Sequence, residues 1–91
     1  GWHDWYISSN LTKKGNLDNQ LLPGLRTNGV AKGLKNTSIP FYYNDINSFK
    51  KVISNNRKTI GTIIMEPTRG VLPEKGFLQY VKKTASKIGA V

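Results

Sequence analysis

Residues 59–70 read TIGTIIMEPTRG, and the fold turns on how this stretch is read. An apolar run over 59–65 breaks off at Glu66, Pro67, Thr68, Arg69 and Gly70. A continuous apolar run of this length is what a strand covered on both faces requires. Proline fixes the backbone where such a strand ends, and glycine lets the following loop turn. The run therefore predicts a β-strand, with residues 66–70 at its carboxyl end.

The flanks extend this pattern. Upstream, SIPFYYN (38–44) is rich in β-formers, and Pro40 assigns it to an edge or to the start of a strand. NDINSFKKVISNN (44–56) opens with Asn44 or Asp45 as a helix cap. Ile46, Phe49, Val52 and Ile53 mark its apolar face. Downstream, residues 73–90 predict a second amphipathic helix with Phe77, Val81, Ala85 and Ile88 as its stripe. Glu74 suits that helix's N-terminal end, its lysines suit the last turns, and Gly89 suits the C-cap.

Strand, helix, strand, helix with short connections is the order of an α/β sheet with parallel strands. Two parallel strands cannot cover themselves, and residues 89–91 (GAV) read as the first step into another strand. The expected fold class is α/β: a fragment of a mostly parallel sheet flanked by helices, cut from a larger domain. Residues 1–37 are expected to form a long irregular N-terminal segment. It opens with a short helical turn carrying Trp2, Trp5 and Tyr6, which Asn10 stops, and Gly15, Pro23, Gly24, Gly29 and Gly33 punctuate the rest. The expected division is 1–37 and 38–91.

With 91 residues and 37 % apolar side chains, the chain can build one small domain with a thin core. It contains no cysteine, which excludes disulfides and thiolate metal sites. No stretch approaches the roughly 20 apolar residues of a membrane span. GWHDWY (1–6) lacks the regions of a secretory signal, so a cytoplasmic location is expected and no membrane partner. Fourteen Lys and Arg stand against five Asp and Glu, for a net charge of +9. The cations fall in scattered doublets, such as Lys50 with Lys51 and Lys82 with Lys83, a pattern of solvated faces rather than of a nucleic-acid stripe. A small basic nucleic-acid-binding module stays open as the alternative.

Ligands of open α/β sheets bind beyond the carboxyl ends of the strands, which makes Glu66, Thr68 and Arg69 the first candidates. Arg69 could grip a carboxylate with two hydrogen bonds, or could simply pair with Glu66. His3, beside Asp4, is the single histidine, either an oriented imidazole or a satisfied polar group among aromatics. One histidine makes no metal site, and no nucleophile or phosphate-loop spacing appears.

Three stretches together resemble the middle of class-III pyridoxal-phosphate aminotransferases, the glutamate-1-semialdehyde 2,1-aminomutase-like branch in particular. They are GWHDWY (1–6), the set LLPGL, NGVAKGL and FYYND within 21–45, and IIMEPTRGVLPEKGFLQYVKKTASKIGAV (63–91). The resemblance implies the large domain of fold type I and pyridoxal 5′-phosphate as cofactor. It also implies a small amino substrate and a homodimeric parent protein. Glu66 matches the family's Glu-Pro strand end near the cofactor, and Gly1 the last residue of its cofactor-stacking motif. Arg69 and Gly70 match the loop on the substrate side, and Trp2 and His3 would lie near the entrance. Val71 departs from the polar residue often found there. No lysine here matches the Schiff-base lysine, so no catalytic residue is assigned, and the chain by itself is expected to be inactive. An interaction segment that orders only within an oligomer is a third reading.

Overall fold

Residues 40–91 are organised by where their aromatic side chains can be buried. A computed structural model describes residues 2–11, 14, 17, 23–68 and 70–91, with side chains described from Trp5 onward. The chain divides into two compact units, Gly1–Ile39 and Pro40–Val91.

In the second unit, helix α2 (Ile46–Asn56) begins where Asp45 accepts the Ser48 N–H on its Oδ1 at 2.8 Å. That satisfies one of the amides a helix start leaves unpaired. The i, i+3, i+7 spacing of Ile46, Phe49 and Ile53 then aligns them on one face, with Phe49 fully buried. Helix α3 (Phe77–Ile88) buries Phe77 and Val81. Gly76, at φ 87°, takes a left-handed conformation and sets the start of α3 at Phe77. The expected start at residue 73 is thus too early: Glu74 lies outside the first turn, and its carbonyl accepts the Phe77 N–H at 3.0 Å. Gly89 caps the other end at φ 76°, and the Ala90 N–H returns to Ala85 O at 2.9 Å.

The core of this unit is Phe49, Phe77 and Val81, with Phe41, Tyr43, Ile63, Met65 and Tyr80 packed around them. Its rings meet edge to face: Phe41 with Phe49 at 5.1 Å, Tyr43 with Phe77 at 5.5 Å and Phe49 with Tyr80 at 6.1 Å. Edge-to-face pairs add about 0.5–1.5 kcal/mol beyond area burial.

The expected α/β fold, a fragment of a mostly parallel sheet flanked by helices, is not observed: the described residues contain helices and no β-strand. A strand exists only through hydrogen bonds to another segment, and neither predicted strand finds that ladder. Residues 60–66 have no regular secondary structure. Two bonds flank Thr62, Ile63 N–H to Val91 O at 2.7 Å and Val91 N–H to Gly61 O at 3.0 Å, and they make one rung. The run is also covered on one side only, since Ile63 and Met65 face the core while Ile64 is 48 % exposed. Of residues 38–44, 39–42 have no regular secondary structure and 43–44 form a turn. The Tyr42 N–H goes to Ser48 Oγ, the Tyr42 carbonyl accepts from Asp45, and Asn44 sits at φ 60°.

In the first unit, the described residues hold α1 (Trp2–Asn10) and a 3-10 turn at Lys32–Leu34. Its described side-chain contacts are hydrogen bonds. Asn10 and Ser9 are each 3 % exposed, and Leu17 is the buried apolar residue described there. Asn10 Nδ2 donates to Tyr6 O at 2.9 Å and to Ser38 Oγ at 3.0 Å, and Ser9 and Ser38 share a further hydroxyl hydrogen bond. Trp5 Nε1 donates to Thr37 Oγ1 at 2.8 Å, and that hydroxyl donates to Leu34 O at 2.6 Å.

Candidate functional site

The loop that follows the apolar run is fastened by two residues from the turn before α2. Tyr43 packs its ring on Phe77, and its hydroxyl donates to Pro67 O at 2.7 Å. Asn44 brackets the far side of the loop. Its Nδ2 donates to Leu72 O at 3.0 Å, and its Oδ1 accepts the Glu74 N–H at 3.0 Å. Asn tolerates the left-handed φ of 60° that this bracket needs better than most residues do. The sequence offers Asn44 and Asp45 as alternative caps for α2. Asp45 takes that role, which frees Asn44 to hold the loop. Neither Tyr43 nor Asn44 stood among the sequence candidates. The signal was the pair of adjacent Asn and Asp residues, of which one alone can be the cap.

Glu66 stands at the end of the extended run on the exposed side of this loop, and Gly70 is exposed at φ 72°. A Cβ placed on Gly70 would meet nothing within 4 Å, so its backbone angle accounts for the glycine, not a close approach. Val71 and Leu72 are 61 % and 79 % exposed beside it. Arg69 and Gly1 lie outside the described residues. Trp2 and His3 are in the first turn of α1, and their side chains lie outside the description. Glu66 and Gly70 therefore share one loop of the second unit, while Trp2 and His3 belong to the first.

A pyridoxal phosphate site needs an enclosed pocket with donors for a phosphate. The described residues do not fit that requirement alone. Glu66 and Gly70 lie on an exposed loop, and the groove of this unit, between α2 and α3, is lined by neither of them.

Comparison with known proteins places the chain beside part of one group of enzymes. It is 42 % identical over 67 residues to a glutamate-1-semialdehyde 2,1-aminomutase of Methanococcus maripaludis, 39 % to that of Prosthecochloris aestuarii and 34 % to that of Hyperthermus butylicus. Each match takes in 69 % of this chain and 16 % of the relative, so the chain spans about one sixth of the curated proteins it resembles. No family model matches the chain. No solved structure matches it either. The similarity makes the chain related to a stretch of these aminomutases.

Proposed function

We propose that this chain is a segment of a class-III pyridoxal-phosphate-dependent aminotransferase or aminomutase acting on a small amino acid or amino-aldehyde. The observation that carries the reading is the 34–42 % identity over 67 residues to proteins named glutamate-1-semialdehyde 2,1-aminomutase. In such a protein the cofactor supplies the electron sink for amino transfer, and the polypeptide holds and orients it. The contribution of this segment is scaffolding. The Glu66 turn, whose Pro67 carbonyl accepts from Tyr43, is proposed as an edge on the cofactor side of that site. Arg69, Gly70, Trp2 and His3 are proposed on the substrate side and Gly1 beside the cofactor. The active protein is proposed to be a cytoplasmic homodimer.

The test is borohydride reduction of the protein in its native source, followed by peptide mapping of the polypeptide that contains this sequence. A pyridoxyl-lysine in that polypeptide is the expected result. A polypeptide that contains residues 1–91, yields complete peptide coverage and carries no pyridoxyl group would overturn the reading.

A further inference from the structure

The Gly1–Ile39 unit contains a turn over residues 27–30, TNGV. Of the nine asparagines in the sequence, Asn28 is the one followed by glycine. The Val30 N–H closes the turn on Thr27 O at 3.3 Å. Gly29 sits at φ 79° in the second central position, as a type II turn requires. Asn28 and Gly29 are both exposed, and a Cβ built on Gly29 would meet nothing within 4 Å.

An asparagine side chain can react with its own backbone when the nitrogen of the next residue is free to attack its Cγ. At four other asparagines that nitrogen is held. The Leu11 N–H after Asn10 goes to Ile7 O at 2.8 Å, and the Thr37 N–H after Asn36 goes to Leu34 O at 3.2 Å. The Asp45 N–H after Asn44 goes to Tyr42 O at 3.2 Å, and the Ser48 N–H after Asn47 goes to Asp45 Oδ1 at 2.8 Å. Asn10 and Asn44 also commit their own side-chain amides to hydrogen bonds. Asn55 and Asn56 lie within α2, whose ladder engages the backbone. Among the described residues, no hydrogen bond engages the Gly29 N–H or the Asn28 side chain.

We infer that Asn28 is a self-modification site, converting to aspartate and isoaspartate in the folded chain with water as the co-reactant. The Gly29 nitrogen loses its proton and attacks Asn28 Cγ. The new N–Cγ bond closes a five-membered succinimide, the Cγ–Nδ2 bond breaks, and Nδ2 leaves with the proton as ammonia. Water then opens either ring carbonyl. Opening at Cγ gives aspartate. Opening at the main-chain carbonyl gives isoaspartate, which routes the backbone through the side chain and adds one carbon inside the turn that Val30 closes. Either product lowers the net charge by one from +9. Glycine leaves its nitrogen unshielded, and the exposed turn needs no opening before reaction. The site shares no residue with the Glu66 loop, so it stands whether or not the aminomutase reading holds.

The test incubates the full chain at neutral and at mildly alkaline pH, native and unfolded in guanidinium, and follows the tryptic peptide 27–32 by mass spectrometry with fragmentation that distinguishes isoaspartate. The peptide should gain the amide-to-acid mass shift, with isoaspartate in excess, and faster at alkaline pH because the attacking nitrogen must lose its proton. An exposed turn opens at almost no free-energy cost, so the native rate should match the unfolded rate within about twofold. Asn47 is also exposed, but its following N–H is held, so it should convert in guanidinium and stay an amide in the native chain. Asn28→Ser should abolish the early mass gain of the native chain. Two outcomes would overturn the inference. One is an Asn28 that converts in guanidinium and stays intact in the native chain, meaning that the turn holds Cγ away from the nitrogen. The other is a native chain in which a different asparagine converts first.

Discussion

The two units of this chain hold themselves together by different means. Pro40–Val91 is organised by rings: Phe49 and Phe77 are each 1 % exposed and surrounded by Phe41, Tyr43 and Tyr80. Among the described residues of Gly1–Ile39, hydrogen bonds converge on Asn10, Ser9 and Ser38. Apolar packing tolerates small displacements and scales with area, whereas a buried polar cluster is favourable only while every partner is in place. The first kind of order is visible in a hydrophobic pattern. The second is not, because Ser and Asn look the same in a loop whether or not they meet.

The sharpest way to break the comparison is to remove a ring. Phe49→Ala should cost about 3–5 kcal/mol, the usual range for a buried Phe truncated in a core. For a domain of this size that is comparable to its whole stability. Amide exchange across α2 and α3 should become fast at ambient temperature. If those amides stay protected, the aromatic core does not hold the unit. In the first unit the corresponding change is Asn10→Leu, which removes the Nδ2 donor from Tyr6 O and Ser38 Oγ and leaves both with the Ser9 hydroxyl. The expected cost is about 1–3 kcal/mol, followed by thermal unfolding detected through Trp5 fluorescence. A neutral outcome would show that the polar cluster contributes no net stability.

The sequence made α2 legible because three independent signals agreed: an Asx cap, an apolar stripe and a terminal Asn pair. It made the body of α3 legible for the same reason, but not its start, since Gly76 at φ 87° overrides the acidic residue that favoured residue 73. The two predicted strands failed for a common cause. β-propensity describes what a segment can do when another segment offers a ladder, and residues 60–66 meet one rung, at Val91. The turn at Tyr43 and Asn44 follows from side-chain hydrogen bonds across 24 to 30 residues of sequence, which no local pattern encodes. Of the candidate site, the existence of a loop at Glu66 to Gly70 was legible from Pro67 and Gly70, and what fastens it was not.

A smaller effect tests the helix ends within the ring-built unit. Asp45→Ala removes the acceptor for the Ser48 N–H and should lower stability by about 1 kcal/mol. Thermal denaturation followed at the α-helical circular dichroism band reads that loss. Asp45→Asn should recover most of it, because the amide oxygen can accept the same bond. A full loss in the Asn variant would mean that the carboxylate acts through its charge and not through the cap.

The smallest expected effect bears most directly on the candidate site. Tyr43→Phe keeps the ring on Phe77 and removes the hydroxyl that donates to Pro67 O. That bond is exposed, so its loss should cost about 0.5 kcal/mol, the low end for a hydrogen bond. The consequence should instead be local. Without the hydroxyl, the carbonyl of Pro67 turns to water while Asn44 still holds Leu72 and Glu74, so the loop loses one of its two anchors. Amide shifts of Glu66, Thr68 and Gly70 should move while those of α2 and α3 stay. If shifts spread through both helices instead, Tyr43 OH is part of the packing of the core. If none move, the edge proposed for the cofactor side of the site is set by Asn44 alone.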